Sequence, residues 1–369
     1  MNSDLKWSQY DFTKIPFNDI VSFGQRTLLY RDLFTVSWLL GRYCNYKCSY
    51  CWPYAHTTKK DHRPTELCLK TIDEIKRQAR INGFNSFHFS LSGGEPTFHP
   101  GYLDILKYLA DDVKNTNYTS IHMTSNCSRP LSWFETYVNY AKPFHRASIT
   151  ASLHTEHVAT AEDLDAFASK LEYCQSYDVQ VTVNMVMVPD WFERDWENAL
   201  YLHKRGINVT LKPQSDPTAS RVVDGYTPSQ FEKLYNGMPQ RAYTDVKREW
   251  ADRPKATFKI PQGVQDNSSV PGHFQVELED STGKKWYMDQ AERFNAFNFN
   301  KFEGWMCNSG YQGIIIREPD GNIKRSYSCH DQPLGHIETG FTLFDKPTIC
   351  TTKSCVSSAD SKIPKKRVI

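Results

Sequence analysis

Cys44-Asn45-Tyr46-Lys47-Cys48-Ser49-Tyr50-Cys51 follows closely on the apolar run Thr35–Leu40. The run reads as a strand. The three thiols then sit on a tight loop at its C-terminal end, where parallel α/β folds carry their active loops. Outward from this loop, to about residue 212, strand and helix patterns alternate. Thr65–Arg80 places Leu67, Ile72, Ile75 and Ala79 at helical spacing, with Thr65 as N-cap. Ser86–Leu91, Ser120–Thr124, Arg146–Leu153, the β-branched Gln180–Val188 and Ile207–Leu211 read as strands. Tyr102–Val113, Leu131–Tyr140, Ala161–Tyr173 and Glu193–Lys204 read as helices between them. Six strand–helix steps predict βαβ units and a parallel sheet. Periodicity alone does not say whether that sheet stays open or curls into a partial barrel.

The chain has 369 residues, enough for about two domains and a sizeable core. Its 44 basic and 42 acidic residues leave a net charge of +2, which argues against bulk neutralisation of nucleic-acid phosphates. No apolar run approaches the ~18 residues of a membrane span. Met1 to Lys14 carries Asp4, Gln9 and Asp11 and no apolar stretch, so no secretory signal is expected and a cytoplasmic location is. Ten cysteines in such a chain, most of them clustered, point to metal ligation rather than a disulfide scaffold. Cys68, Cys127 and Cys174 stand alone and read as small buried hydrophobes.

Three thiolates spaced C-x3-C-x2-C can hold three irons of a cubane and leave the fourth open to a small molecule. A zinc ion with His56 or His62 as fourth ligand is the competing reading. A second motif, Leu91-Ser92-Gly93-Gly94-Glu95-Pro96-Thr97, closes the next strand. Its glycines would let backbone approach a ligand, and Glu95 with the loop carbonyls could receive an ammonium. Together the two loops resemble the radical S-adenosylmethionine (SAM) superfamily. That resemblance implies a partial (β/α)6 barrel and a SAM-binding 4Fe–4S cluster on Cys44, Cys48 and Cys51. It implies SAM contacts from Gly93, Gly94, Glu95 and Pro96, then from Ser125 and Asn126, from Ser152 and His154, and from Asn184 at the following strands. It also implies reductive cleavage of SAM, hydrogen abstraction from a peptide or small-molecule substrate, and an electron donor such as a flavodoxin or ferredoxin. Ordinary polar strand-end chemistry remains the other reading of the strand-end residues.

The pattern changes after Pro213. Residues 214–300 read as an aromatic insert with a helix at Pro228–Tyr235 and a hairpin of His273–Leu278 with Lys284–Met288. Its rings are expected to pack a hairpin, a lid or substrate wall being the other use. Residues 301–356 carry Cys307, Cys329, Cys350 and Cys355 around a second hairpin, Gly313–Arg317 with Asn322–Tyr327. This segment resembles the twitch subdomain, a shorter relative of SPASM domains, which implies one auxiliary 4Fe–4S cluster. Zinc on the same thiolates is the alternative, and His330 is a possible substitute ligand. Residues 1–34 read as an irregular lead-in and 357–369 as a frayed basic tail. Lys212 and Asp216, just past the sixth strand, are the candidates for proton transfer near the substrate. His88 and His122 read as packed. A non-catalytic iron–sulfur or electron-transfer protein is the rival class.

Overall fold

The computed structural model describes residues 11–25, 32–52, 55–60, 62–217, 221–238, 276–288, 294, 297–317, 320–329, 333–355, 357, 360 and 363–368. Strand β1 is Ile20–Gln25 and β2 is Leu33–Leu39. Then come α1 (Thr65–Ile81), β3 (Ser86–Ser92), α2 (Tyr102–Asp111), β4 (Tyr118–Ser125), α3 (Leu131–Ala141), β5 (Arg146–Leu153), α4 (Ala161–Ser176), β6 (Gln180–Met187), α5 (Phe192–Lys204), β7 (Asn208–Pro213) and α6 (Pro228–Asn236). The C-terminal strands are β8 (Val276–Asp280), β9 (Lys285–Met288), β10 (Met306–Cys307), β11 (Gly313–Ile316), β12 (Asn322–Lys324), β13 (Pro333–His336), β14 (Gly340–Phe341), β15 (Thr348–Ile349) and β16 (Lys365–Lys366).

Strands β2 to β7 pair in parallel and in sequence order, giving an unclosed (β/α)6 barrel. Their alternation sorts the side chains. Val36, Phe89, Met123, Ile149 and Val183 are buried under the helices, while Ser37, Ser90, His122, Thr150 and Asn184 take the opposite, half-buried face. Helix α1 answers with Cys68, Ile72, Ile75 and Ala79 on one stripe. Thr65 is the first residue of α1 rather than its cap; Pro64 holds the cap position and no side chain caps there. A true capping box closes α4, where Thr160 and Asp163 bond each other's backbone.

The barrel sheet does not end at β2. Strand β11 runs parallel beside it, pairing Ile316 with Trp38, and β12 to β14 continue the sheet antiparallel. The second expected hairpin therefore adds strands to the barrel.

The remaining strands form a second sheet in the order β15-β10-β16-β1-β8-β9. Two expectations are corrected here. The lead-in contains a real strand, since β1 pairs Phe23 with both Lys365 and Leu278. The basic tail is not frayed over its described part. Lys365 is buried, donates from Nζ to the carbonyls of Asp360 and Ile363, and lies over the rings of Phe23 and Phe302. The insert's described aromatics divide: Tyr226 packs on Phe192 of the barrel with Phe231 against it, and the later ones serve this sheet. Phe294 and Phe299 pack with Phe302 and Trp305, and Phe297 stacks on Phe17. Trp250, Phe258 and Phe274 lie outside the described residues.

The first hairpin supplies an acid-sensitive element. Asp280 accepts from Thr282 Oγ1 (2.6 Å), Thr282 N, Lys284 N and Trp286 Nε1 (2.9 Å). Those bonds, Thr282's foremost, hold its carboxyl down at about 2. The depressed folded value means that the stabilisation is complete above the unfolded value of about 4 and is lost as pH falls towards 2. The Trp286 indole proton should accordingly stay protected from exchange down to about pH 4 and lose protection below it. Asp280→Asn should lack this acid step; an unchanged step in that variant would exclude Asp280 as its source.

Candidate active site

The two loops at the C-terminal ends of β2 and β3 are built against each other. Gly94 N donates to Gly41 O (3.0 Å) and Glu95 N to Tyr43 O (2.7 Å). Gly93 has φ +139°, and a methyl group on it would enter the Gly41 carbonyl; one on Gly94 would enter those of Arg42 and Tyr43. The close approach the glycines make here is between loop 93–96 and the backbone leading into the cysteines. Glu95 is buried. Its carboxylate takes Thr97 N (3.1 Å), Thr97 Oγ1 (2.7 Å), Ser125 Oγ (2.8 Å) and Asn126 N (2.6 Å), tying β3's end to β4's. Burial nonetheless pushes its pKa up. Pro96 opens the short 3-10 turn that follows. Asn126 reaches back to the cysteine loop, with Nδ2 2.9 Å from Asn45 Oδ1.

The opposite side of the cysteine loop is gripped by the turn after β5. Tyr46 stacks on His157 (4.0 Å between centroids, 7°), and Lys47 N donates to His157 Nε2 (3.2 Å). Ser49 N donates to Glu156 Oε2 (2.8 Å), and the Ser49 hydroxyl bonds the same carboxylate. Tyr50 OH lies 2.8 Å from His154 Nδ1. His154 is thus also bonded to the loop, and burial holds its pKa down at about 4, leaving the ring neutral. Thr155 anchors the turn by accepting from Arg194 Nη2 (2.8 Å). Burial is the first cause that lifts the Cys44 thiol to about 11 and the Cys48 thiol to about 12; it also raises Cys51. Each of the first two is pushed further by neighbouring thiols and a carboxylate, Glu95 for Cys44 and Glu156 for Cys48. His62 packs on Tyr43 and His99, and the ring beside Cys48 is His157.

Ser152 and Asn184 are register partners on the concave face of β5 and β6. His88 and His122 are on that face too, not in the apolar core, each bonded 2.8 Å to a serine of the next strand, Ser120 and Ser148. Strands β2 to β7 contain no Asp or Glu at all, so the wall they present is hydroxyl, amide and imidazole. Lys212 is exposed opposite Val186, at the open edge of the barrel. Asp216 folds onto Arg221, whose N–H its carboxylate accepts. Between them Ser215 accepts from Trp52 Nε1 (3.1 Å), which brings this edge to the cysteine loop. From the C-terminal strands, Tyr327 inserts its hydroxyl between Ser37 and Ser92.

Tyr327 is two residues from Cys329, one of the four cysteines that converge at the second sheet. All four are buried. Cys350 is felt by Cys307 and Cys329, and Cys355 by Cys307 and Cys350, with Lys365 the cation among them. Ser309 N and Thr352 Oγ1 donate to Cys307 and Cys329 sulfur, each at 3.4 Å. His330 lies outside the described residues. Cys68, Cys127 and Cys174 are buried in the barrel core, as their isolation suggested.

The sequence gives Glu156, His157, Tyr50 and Tyr327 no motif. The His154-x-x-His157 spacing one step past a strand was the only available hint.

Residues 38–202 match the radical SAM superfamily model. The chain carries a radical SAM domain. No curated protein matches the chain. Among solved structures, the chain is similar to native anSMEcpe with bound AdoMet and Kp18Cys peptide, at 14% identity and TM-score 0.48, over 84% of this chain and 79% of that one. Native anSMEcpe with bound AdoMet gives 17% and 0.47 over the same shares. Among the described residues no helix is long and apolar enough to cross a membrane.

Proposed function

We propose that this radical SAM enzyme binds a 4Fe–4S cluster on Cys44, Cys48 and Cys51, cleaves SAM reductively and abstracts a hydrogen atom from a peptide or small-molecule substrate. The observation that carries the reading is the seating of three thiols between loop 93–96 and turn 154–157, at the mouth of a barrel with no acid on its strands. The donor set fits such a cluster. Three thiolates suit iron–sulfur, and the three sulfurs do not all lie within 4.8 Å of one another. When bound, the cluster supplies the electron that breaks the sulfonium C–S bond, giving methionine and the 5′-deoxyadenosyl radical.

The chain's own residues do the rest. Gly93 and Gly94 bring the SAM loop's backbone against the cysteine loop. Glu95 ties that loop to Ser125 and Asn126, so an amino acid moiety bound there meets a rigid floor. Ser152, His154 and Asn184 face the remainder of SAM from β5 and β6. The substrate enters at the open edge beside Lys212 and Asp216, the candidates for proton transfer. A flavodoxin or ferredoxin supplies electrons, and the protein works in the cytoplasm.

Cys307, Cys329, Cys350 and Cys355 hold one auxiliary 4Fe–4S cluster. Four buried thiols supply the ligands, and the buried Lys365 among them offsets some of the negative charge such a cluster carries. Tyr327 links it to the barrel wall. In the fully reconstituted protein Cys329→Ala should lower iron from about eight atoms per chain to about four, leaving SAM binding in place. Iron equal to wild type would remove the auxiliary cluster from the reading.

The direct test is anaerobic. The reconstituted chain, given SAM and dithionite, should form 5′-deoxyadenosine well above a variant with Cys44, Cys48 and Cys51 all replaced by Ala. Failure both to form it and to bind SAM would favour the non-catalytic class.

A further inference from the structure

Among the described residues, Cys48, Glu156 and His157 are the one trio of metal-ligating side chains whose donor atoms all lie within 4.8 Å of one another. They come together because turn 154–157 is clasped onto the cysteine loop. Both flanking groups accept from the cysteine loop, His157 Nε2 from the Lys47 N–H and Glu156 from Ser49. Sulfur, imidazole nitrogen and carboxylate oxygen form a borderline set suited to Zn²⁺, Co²⁺ or Fe²⁺.

We propose that the cluster-free chain binds one divalent transition-metal ion at Cys48, Glu156 and His157, with water in the fourth position. Cys48 releases its thiol proton to solvent and binds as thiolate, which with the Glu156 carboxylate balances the dication, while His157 binds through a ring nitrogen. No electron moves. The Lys47 and Ser49 N–H bonds to the two ligands are exchanged for metal bonds. The site draws on Cys48 alone of the three loop cysteines. Cluster and single ion are therefore mutually exclusive, and zinc bound here delays cluster assembly. The proposal is independent of whether SAM is cleaved.

The test uses the full-length chain, cleared of metal by chelator under anaerobic conditions and titrated with Co²⁺. Thiolate-to-cobalt charge-transfer absorption counts the ions. The C-terminal cysteines take up cobalt equally in every variant and cancel in the comparison. Glu156→Gln and His157→Gln keep hydrogen-bond acceptors but are poor ligands; each should bind one ion at least tenfold more weakly than wild type. The double variant Cys44→Ser/Cys51→Ser should keep that ion, and adding Cys48→Ser should lose it. This second pair decides the matter even if a Gln variant does not fold. Retention of the ion in both Gln variants, or its loss from the Cys44→Ser/Cys51→Ser protein, overturns the site in favour of capture by the loop cysteines together.

Discussion

Cys48→Ala should abolish SAM cleavage while leaving the protein folded. The side chain is buried but belongs to neither apolar core, so its removal opens no cavity among the packed strands and helices. The backbone bonds that hold the loop, from Lys47 to His157 and from Ser49 to Glu156, do not use the sulfur. What is lost is one of the three thiolates proposed for the open-iron cluster. 5′-Deoxyadenosine, measured by mass spectrometry after anaerobic reduction, should fall at least ~10³-fold, equivalent to about 4 kcal/mol of barrier. Thermal melting of the metal-free chain should change little. Cleavage retained in this variant would refute the ligand assignment.

Gly94→Ala should act in the opposite way, through the fold. The added methyl would collide with the carbonyl oxygens of Arg42 and Tyr43, and its third contact, at 2.7 Å, is the carbonyl carbon of Arg42. All are backbone atoms, so no rotamer change relieves the clash. Either loop 93–96 or the strand exit into the cysteines must move, at a cost of about 3 kcal/mol. The bond from Gly94 N to Gly41 O and that from Glu95 N to Tyr43 O would go with it. Differential scanning calorimetry should show a melting point lower by about 4 °C. Iron bound after reconstitution should fall as well, because the displaced backbone leads straight into Cys44. A variant with wild-type melting and iron would show that the two loops can part freely, contrary to the contacts described.

Much of the barrel was legible without coordinates. Arg146–Leu153 is a strand with the boundaries its alternation gives, and α1 differs from its periodic stretch by one residue. Such patterns are local: each strand shows one face to helices and one to the barrel interior, and each helix one stripe to the sheet. The thiol spacing and the double glycine were legible for the same reason, since each motif lies in a few consecutive residues.

The second sheet was not legible. Strand β16 is two residues long and β10 is two, and each exists because a distant partner lies alongside: Lys365 opposite both Phe23 and Cys307. No pattern of two residues can announce a strand. Lys365 read as a solvated tail charge because its burial depends on carbonyls and rings that only the folded chain supplies. The same holds for Glu156 and His157. They stand more than a hundred residues from Lys47 and Ser49, and only the curl of the parallel sheet carries β5's end onto the loop after β2.

The sequence by itself therefore determined the alternating α/β frame and which cysteines cluster, because short-range periodicity and spacing encode both. Tertiary structure alone decided that the glycines serve loop-to-loop contact, that the C-terminal strands extend the barrel, and that a carboxylate and an imidazole flank Cys48. Each of these is a contact between residues far apart in the chain, fixed by strand pairing and burial rather than by any local preference.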